Sequence, residues 1–211
     1  MKVKVKSESE SEKTRRRYDR IAPLFDALEG FLEGLFIKVW RKTLWNKVQG
    51  EDVLEVGVGT GKNFPYYPSN TRITALDFSE KMLERAKIKK LRTKVSVDLE
   101  FMDVQSLCYA DNSFDTVIAT FVFCSVPLPH KGLQELYRVC KPGGQVLLLE
   151  HVLSSKPMMA KMMNLINPVI ASTFGANINR ETVKSVQSCG FDKVLIDPAS
   201  GDMVKLIQAI K

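Results

Sequence analysis

The stretch that most limits what this chain can fold into is VLEVGVGTGKNF, residues 53 to 64, where a short apolar run opens into Gly57-Val58-Gly59-Thr60-Gly61. Glycine accepts φ > 0 and close backbone approach, so a strand feeding this turn is a place to lay a ligand against bare main chain. Dinucleotides and adenosyl groups both use such turns. A dinucleotide loop needs its third glycine at position 62 and a helix N-terminus for the pyrophosphate, but position 62 is Lys62, and Pro65 and Pro68 disturb the segment after it. A nicotinamide dinucleotide is therefore disfavoured. The charges argue the same way: Glu55 precedes the glycines, Asp77 ends a second apolar run, ITALD, and Asp103 follows a third, VDLEFMD. Three carboxylates around one crevice repel a pyrophosphate but suit a ligand with a sulfonium, an amino group and ribose hydroxyls. S-adenosylmethionine carries all three.

With 211 residues, 45% hydrophobic and 26% charged, the chain supports one sizeable core, and we expect one domain with an N-terminal extension. It contains neither a long uncharged apolar run nor a signal peptide, so the expectation is a cytoplasmic protein. Cys108, Cys124, Cys140 and Cys189 are widely spaced and only two histidines exist, so reduced thiols and no metal site are expected. The formal charge of +7 fits a nucleic acid, an anionic membrane surface or a lysine-rich solvated exterior.

Residues 1 to 17 are too polar to build a core, and disorder is expected at their start. From Tyr18 to Val48 the apolar residues Ile21, Leu24, Phe25, Leu28, Leu32, Leu35, Phe36, Val39 and Trp40 recur at helical steps, with Gly30 and Gly34 expected to bend or divide the helix. Lys38, Arg41, Lys42 and Lys47 flank Trp40 and Trp45, the mixture expected of a helix in a membrane interface or of a lid over the sheet. Strands are expected at 52–57, 72–77, 97–102, 115–121, 145–151, 192–196 and 203–209, alternating at first with helices, as in a parallel sheet covered on both faces. Ser79 reads as the N-cap of one helix and Asn179 of the last, which Gly190 stops. Residues 154 to 174, methionine-rich and broken by Pro157 and Pro168, stand outside the alternation. Met158, Met159, Met162 and Met163 there fit either an irregular core gap or a flexible wall for a hydrophobic substrate.

Taken together, RYDRIAPLFD, LEVGVGTG, ITALDFSEKML, FMDVQSL, FDTVIATFVFCSV, LYRVCKPGGQVLLLEH and SCGF resemble the class I S-adenosylmethionine-dependent methyltransferases, in their quinone- and phospholipid-methylating branch. The resemblance implies an α/β, Rossmann-like, seven-stranded and mostly parallel sheet of order 3-2-1-4-5-7-6, its last strand antiparallel, with helices on both faces. It divides the chain into an extension, 1–48, serving as lid or membrane contact, and a cofactor domain, 49–211, with 154–174 as a substrate-side insertion.

The same resemblance implies the site. Gly57, Gly59 and Gly61 lie against the methionine and ribose parts, Glu55 receives the amino group directly or through water, and Asp77 accepts from the ribose hydroxyls. Phe78 and Met82 cover the adenine, Asp103 with Val104 reads its amino group, Thr120 and Phe121 line the sulfonium, and Asn63 and Ser79 complete the set. Tyr18 closes over the cofactor or acts only as a helix-start staple. Cys124 reads as a small buried residue, since methyl transfer needs no covalent intermediate. Tyr18, His130 and His151 are the nameable candidates for a base.

The activity implied first is methylation of a phospholipid amine of the phosphatidylethanolamine type at an anionic inner membrane face. Carbon methylation of a lipophilic quinone precursor and sulfur methylation of a small thiol are the alternatives within the same cofactor site. A nucleic-acid-binding module lacks an aromatic-interleaved basic motif. A monomer is expected.

Overall fold

The computed structural model describes residues 9–32, 35–93, 95–198 and 201–211, and no side chain from 24 to 36. The apolar runs form seven strands, β1 (Asp52–Val56), β2 (Arg72–Asp77), β3 (Asp98–Phe101), β4 (Phe114–Thr120), β5 (Cys140–His151), β6 (Lys193–Ile196) and β7 (Val204–Ile210). They join in one sheet of order β3-β2-β1-β4-β5-β7-β6. β1 through β5 pair in parallel, and β7 runs antiparallel to both β5 and β6, as the resemblance implies.

Successive residues of a strand point to opposite faces, and the core accordingly splits in two. Leu54, Val56, Val117, Ala119, Val146 and Leu148 share one face with Leu133, Leu136 and Val139 of α4 (Pro129–Val139) and Val186 of α6 (Thr182–Gln187). Val53, Ile118, Leu147 and Leu149 share the other with Leu44 and Trp45 of α2 (Leu35–Trp45) and Leu83 and Ala86 of α3 (Glu80–Thr93). A sheet covered on both faces leaves its strand ends as the place for a ligand.

Several elements differ from the sequence reading. α1 (Glu10–Leu32) starts eight residues before Tyr18, because Ser9 and Glu12 form a reciprocal capping box: Glu12 N donates to Ser9 Oγ at 3.2 Å and Ser9 N to Glu12 Oε2 at 3.0 Å. The expected disordered start, residues 1–8, lies outside the described residues, as do the side chains of Leu24, Phe25, Leu28, Leu32, Leu35 and Phe36. Gly30 lies within α1, and Gly34, between the last described residue of α1 and the first of α2, lies outside the described residues. α6 is capped at Glu181, not Asn179, whose amide donates instead to Asn164 Oδ1 at 2.8 Å. β5 begins at Cys140, five residues early, running through Gly143 at φ 74° beside a register shift against β4.

The tryptophan reading of α2 also changes. Trp45 is 1% exposed, its ring 4.5 Å from that of Tyr67, and Trp40 packs against the same core. Arg41 is buried and Lys47 pairs with Asp197 at 3.5 Å. Trp45 fills the space between α2 and the sheet and so is not offered to a membrane, while Trp40 is half-buried.

Trp45→Ala should therefore cost about 3–5 kcal/mol in chemical denaturation, the usual penalty for an aromatic cavity. Val39→Ser, on the exposed side of the same helix, should stay within about 0.5 kcal/mol. Equal effects would contradict this placement of α2.

Candidate functional site

The strand order reverses between β1 and β4, and a cleft of about 470 Å³ opens there, in the size range of small-molecule sites. The segments after four strands converge on it: Gly57–Thr60 after β1, Asp77–Ser79 after β2, Met102–Gln105 after β3 and Thr120–Pro127 after β4, with His151 at the end of β5. α1 crosses its mouth, placing Ser11, Arg15 and Tyr18 in the lining.

Asp77 organises the bottom. Its Oδ2 accepts from Gly59 N and its Oδ1 from Ser79 N, each at 2.8 Å, so one carboxylate ties the glycine turn to the turn after β2. Burial pushes its pKa up to about 6, against these amide donors. Gly57 and Gly59 both have positive φ, for different reasons. A Cβ on Gly57 would lie 2.4 Å from Val122 Cγ2, whereas one on Gly59 would meet nothing within 4 Å and would project into open space. Gly57 permits close packing, and Gly59 leaves room for a ligand.

Of the expected residues, Tyr18, Asn63, Phe78, Met82, Asp103, Val104, Thr120 and Phe121 line the cleft with Gly57, Gly59, Asp77 and Ser79. Two do not. Gly61 lies under Phe64, whose Cε2 would be 2.4 Å from a Cβ there, because the chain folds into a single 3₁₀ turn at Phe64–Tyr66. Glu55 is 1% exposed; Asn63 Nδ2 donates to its Oε1 at 2.5 Å and Tyr67 OH to its Oε2. Burial raises its pKa to about 7, and its two oxygens are engaged by Asn63 and Tyr67. Ser79 caps α3 as expected, its Oγ accepting from Met82 N at 3.2 Å, and also donates to Asp19 of α1 at 2.6 Å. Asp103 accepts from Gln105 N and Nε2 at 2.9 and 3.0 Å, so it is a turn cap as well as part of the wall. Tyr18 OH bonds Ser125 Oγ across the mouth. His130 is not part of the lining; its Nδ1 lies 3.8 Å from Cys189 Sγ. Burial pushes the Cys124 thiol up to about 12, far from a nucleophilic thiolate.

Three features were missed in the sequence. Arg41 Nη1 donates to Asn63 Oδ1 at 2.9 Å, and its guanidinium stands 5.6 Å from the Phe121 ring centroid; a buried arginine amid KVWRK reads as one more surface cation. Gln105 spans from Ser11 of α1 to Leu128 N, tying the lid to the wall. Glu150, fully buried on β5, accepts from Val122 N at 2.8 Å and Phe123 N at 3.2 Å, and its pKa is pushed by burial up to about 8. Glu150 holds the chain where Phe121 leaves β4 in the left-handed region, φ 56°. An acidic residue in LLLEH offered the only signal.

A parallel sheet with its ligand crevice at the switch point, a glycine turn without a helix behind it and an anionic floor define an α/β protein built for an adenosyl ligand rather than a dinucleotide. Residues 54–148 match the model of a methyltransferase domain. The chain is similar to a phosphatidylethanolamine N-methyltransferase of Cereibacter sphaeroides, 40% identical over 53% of this chain and 56% of that protein. It is also similar to the human thiol S-methyltransferase TMT1B, 36% identical over 69% of this chain and 62% of the other. It thus spans about three fifths of the length of these relatives. The [4+2]-cyclase SpnF shares the fold, with a TM-score of 0.72 over 88% of this chain and 74% of that one, at 22% identity. Residues 54–148 thus carry a methyltransferase domain of the class I S-adenosylmethionine-dependent kind.

Two outcomes are expected. Asp77→Ala should weaken S-adenosylhomocysteine binding by about 1–3 kcal/mol in calorimetry without unfolding the chain, and should remove a loss of wild-type affinity as pH falls through about 6; unchanged affinity places the ligand elsewhere. For Glu150 the folded pKa, about 8, exceeds the ordinary 4.5, so the native state binds the extra proton and stability falls as pH rises between these values. Urea midpoints of wild type should therefore drop from pH 5 to 8 relative to Glu150→Gln, and parallel curves would refute the protonated carboxyl.

Proposed function

We propose that this chain transfers a methyl group from S-adenosylmethionine to the amine of a phospholipid headgroup of the phosphatidylethanolamine type, on the cytoplasmic face of a membrane. The observation that carries this reading is the make-up of the cleft. Its lining combines the polar Asp77–Gly59 floor with Tyr18, Phe121, Cys124, His151, Phe174 and Ala176, an aromatic and apolar vestibule with one imidazole. The 40% identity to a phosphatidylethanolamine N-methyltransferase supports the amine acceptor.

When bound, S-adenosylmethionine supplies an electrophilic methyl group on a sulfonium. The chain contributes alignment: Gly57 and Gly59 allow close approach, Asp77 accepts from ribose hydroxyls, and Tyr18 and Gln105 hold α1 across the mouth to exclude water. Correct alignment of acceptor and methyl can be worth about 7–11 kcal/mol. An amine acceptor must shed a proton. Burial lowers the His151 pKa, so its ring is neutral near pH 7, and it lies 4.7 Å from the Phe121 ring, facing the vestibule. His151 takes that proton.

Methylation of a small thiol is the second reading, favoured by the similarity to thiol S-methyltransferase TMT1B over 69% of this chain. Labelled S-adenosylmethionine incubated with the protein, a total lipid extract and a panel of small thiols separates the two. Mass spectrometry should find label in an ethanolamine phospholipid that has gained a methylene's mass. Label in the thiols alone would replace the lipid reading, and no label in either would remove the transferase.

A further inference from the structure

Among the described residues, α5 (Pro157–Phe174) presents a broad apolar face that the fold leaves uncovered. Met158 is 87% exposed, Leu165 78% and Val169 67%, with Met162, Ile166 and Phe174 also exposed; Met163 alone is buried on this helix. Of the methionines expected to fill a core gap or wall the substrate, Met163 is buried and Met159 half-buried, whereas Met158 and Met162 stand in solvent; Trp45, expected to meet a membrane, is inside. Phe174, at the end of α5, and Ala176 just beyond it line the cleft, so the helix ends beside it.

The charge carried by this segment itself has one sign. From Ser154 to Arg180 the sequence contains no Asp or Glu, while Lys156 and Lys161 are exposed. The Arg17 side chain runs beside Gly175, where a Cβ would come within 3.2 Å of its Cδ, and Arg15 lines the cleft. Asp202 lies at the start of α5 and is engaged there by Ser154 and by Ser155 Oγ, the latter at 2.7 Å. No described helix is long and apolar enough to cross a membrane. An apolar helix face edged by lysine and arginine has the chemistry of an element lying in an interface.

We propose that α5, with Arg15 and Arg17 of α1, docks on an anionic lipid bilayer, the helix lying in the headgroup plane with its apolar face down and the cleft mouth opening toward the lipid. This deepens the lipid-acceptor reading and rests on it for the purpose of the surface. A second copy of the chain fits less well, since a two-fold contact through α5 would bring Lys161 and Arg17 of each copy to the same interface.

Co-sedimentation of the full chain with phosphatidylglycerol–phosphatidylcholine vesicles tests it. Wild type should bind. Leu165→Asp with Val169→Asp should lower the bound fraction at least tenfold at every salt concentration, and Lys156→Glu with Lys161→Glu should lower it only at low salt, where charges are unscreened. Titration with S-adenosylhomocysteine should be unchanged in both, reporting an intact fold. Absence of wild-type binding, wild-type-like binding by either variant, or a stable dimer that the Leu165/Val169 variant dissolves overturns the proposal. The two readings fail separately: vesicle binding with methylation of thiols alone removes only the lipid acceptor, and lipid methylation in detergent micelles without vesicle binding removes only the docking surface.

Discussion

One carboxylate holds the cleft together. Asp77 is at the carboxyl end of β2, and its two oxygens accept from Gly59 N and Ser79 N, both at 2.8 Å. The turn after β1 cannot move from the turn after β2 without leaving a recessed acid short of donors, a loss of about 1–3 kcal/mol for each orphaned group. Ser79 extends the same chain of bonds to Asp19, so the floor of the cleft and the helix across its mouth are set by one continuous network. The pairing of β1 with β2 and β4 then fixes where the remaining walls stand.

A second network stiffens the side facing β4. Asn63 receives Arg41 at 2.9 Å and donates to Glu55 at 2.5 Å and to Thr120 Oγ1 at 3.1 Å. Glu150 does the equivalent work behind Val122 and Phe123. Both acids are kept in the interior by amide or hydroxyl donors, with burial raising their pKa values. Buried polar groups of this kind fix the geometry of an irregular segment that apolar packing alone would leave loose.

Much of this was legible in the chain because its causes are local. The glycine spacing, the lysine in place of a third glycine and the carboxylate closing ITALD reflect the conformations a backbone turn permits, and a 3₁₀ turn instead of a helix stands where Pro65 was read as disruptive. The strand order came with the family resemblance. The features that were not legible depend on partners distant in sequence. Trp45 and Met158 are both apolar residues near lysines, and only the packing of α2 on β5 and the exposure of α5 among the described residues decide that one is buried and the other exposed. Glu55 read as a ligand contact because its bonds to Asn63 and Tyr67 arise from the 3₁₀ turn.

The central claim is that the cleft over β1, β2 and β4 selects an adenosyl sulfonium ligand against a dinucleotide. Parallel calorimetric titrations of the intact chain with S-adenosylhomocysteine and with NAD test it most directly. Saturable one-to-one binding of S-adenosylhomocysteine and no heat above dilution with NAD is the predicted result; binding of NAD, or of neither, would contradict it.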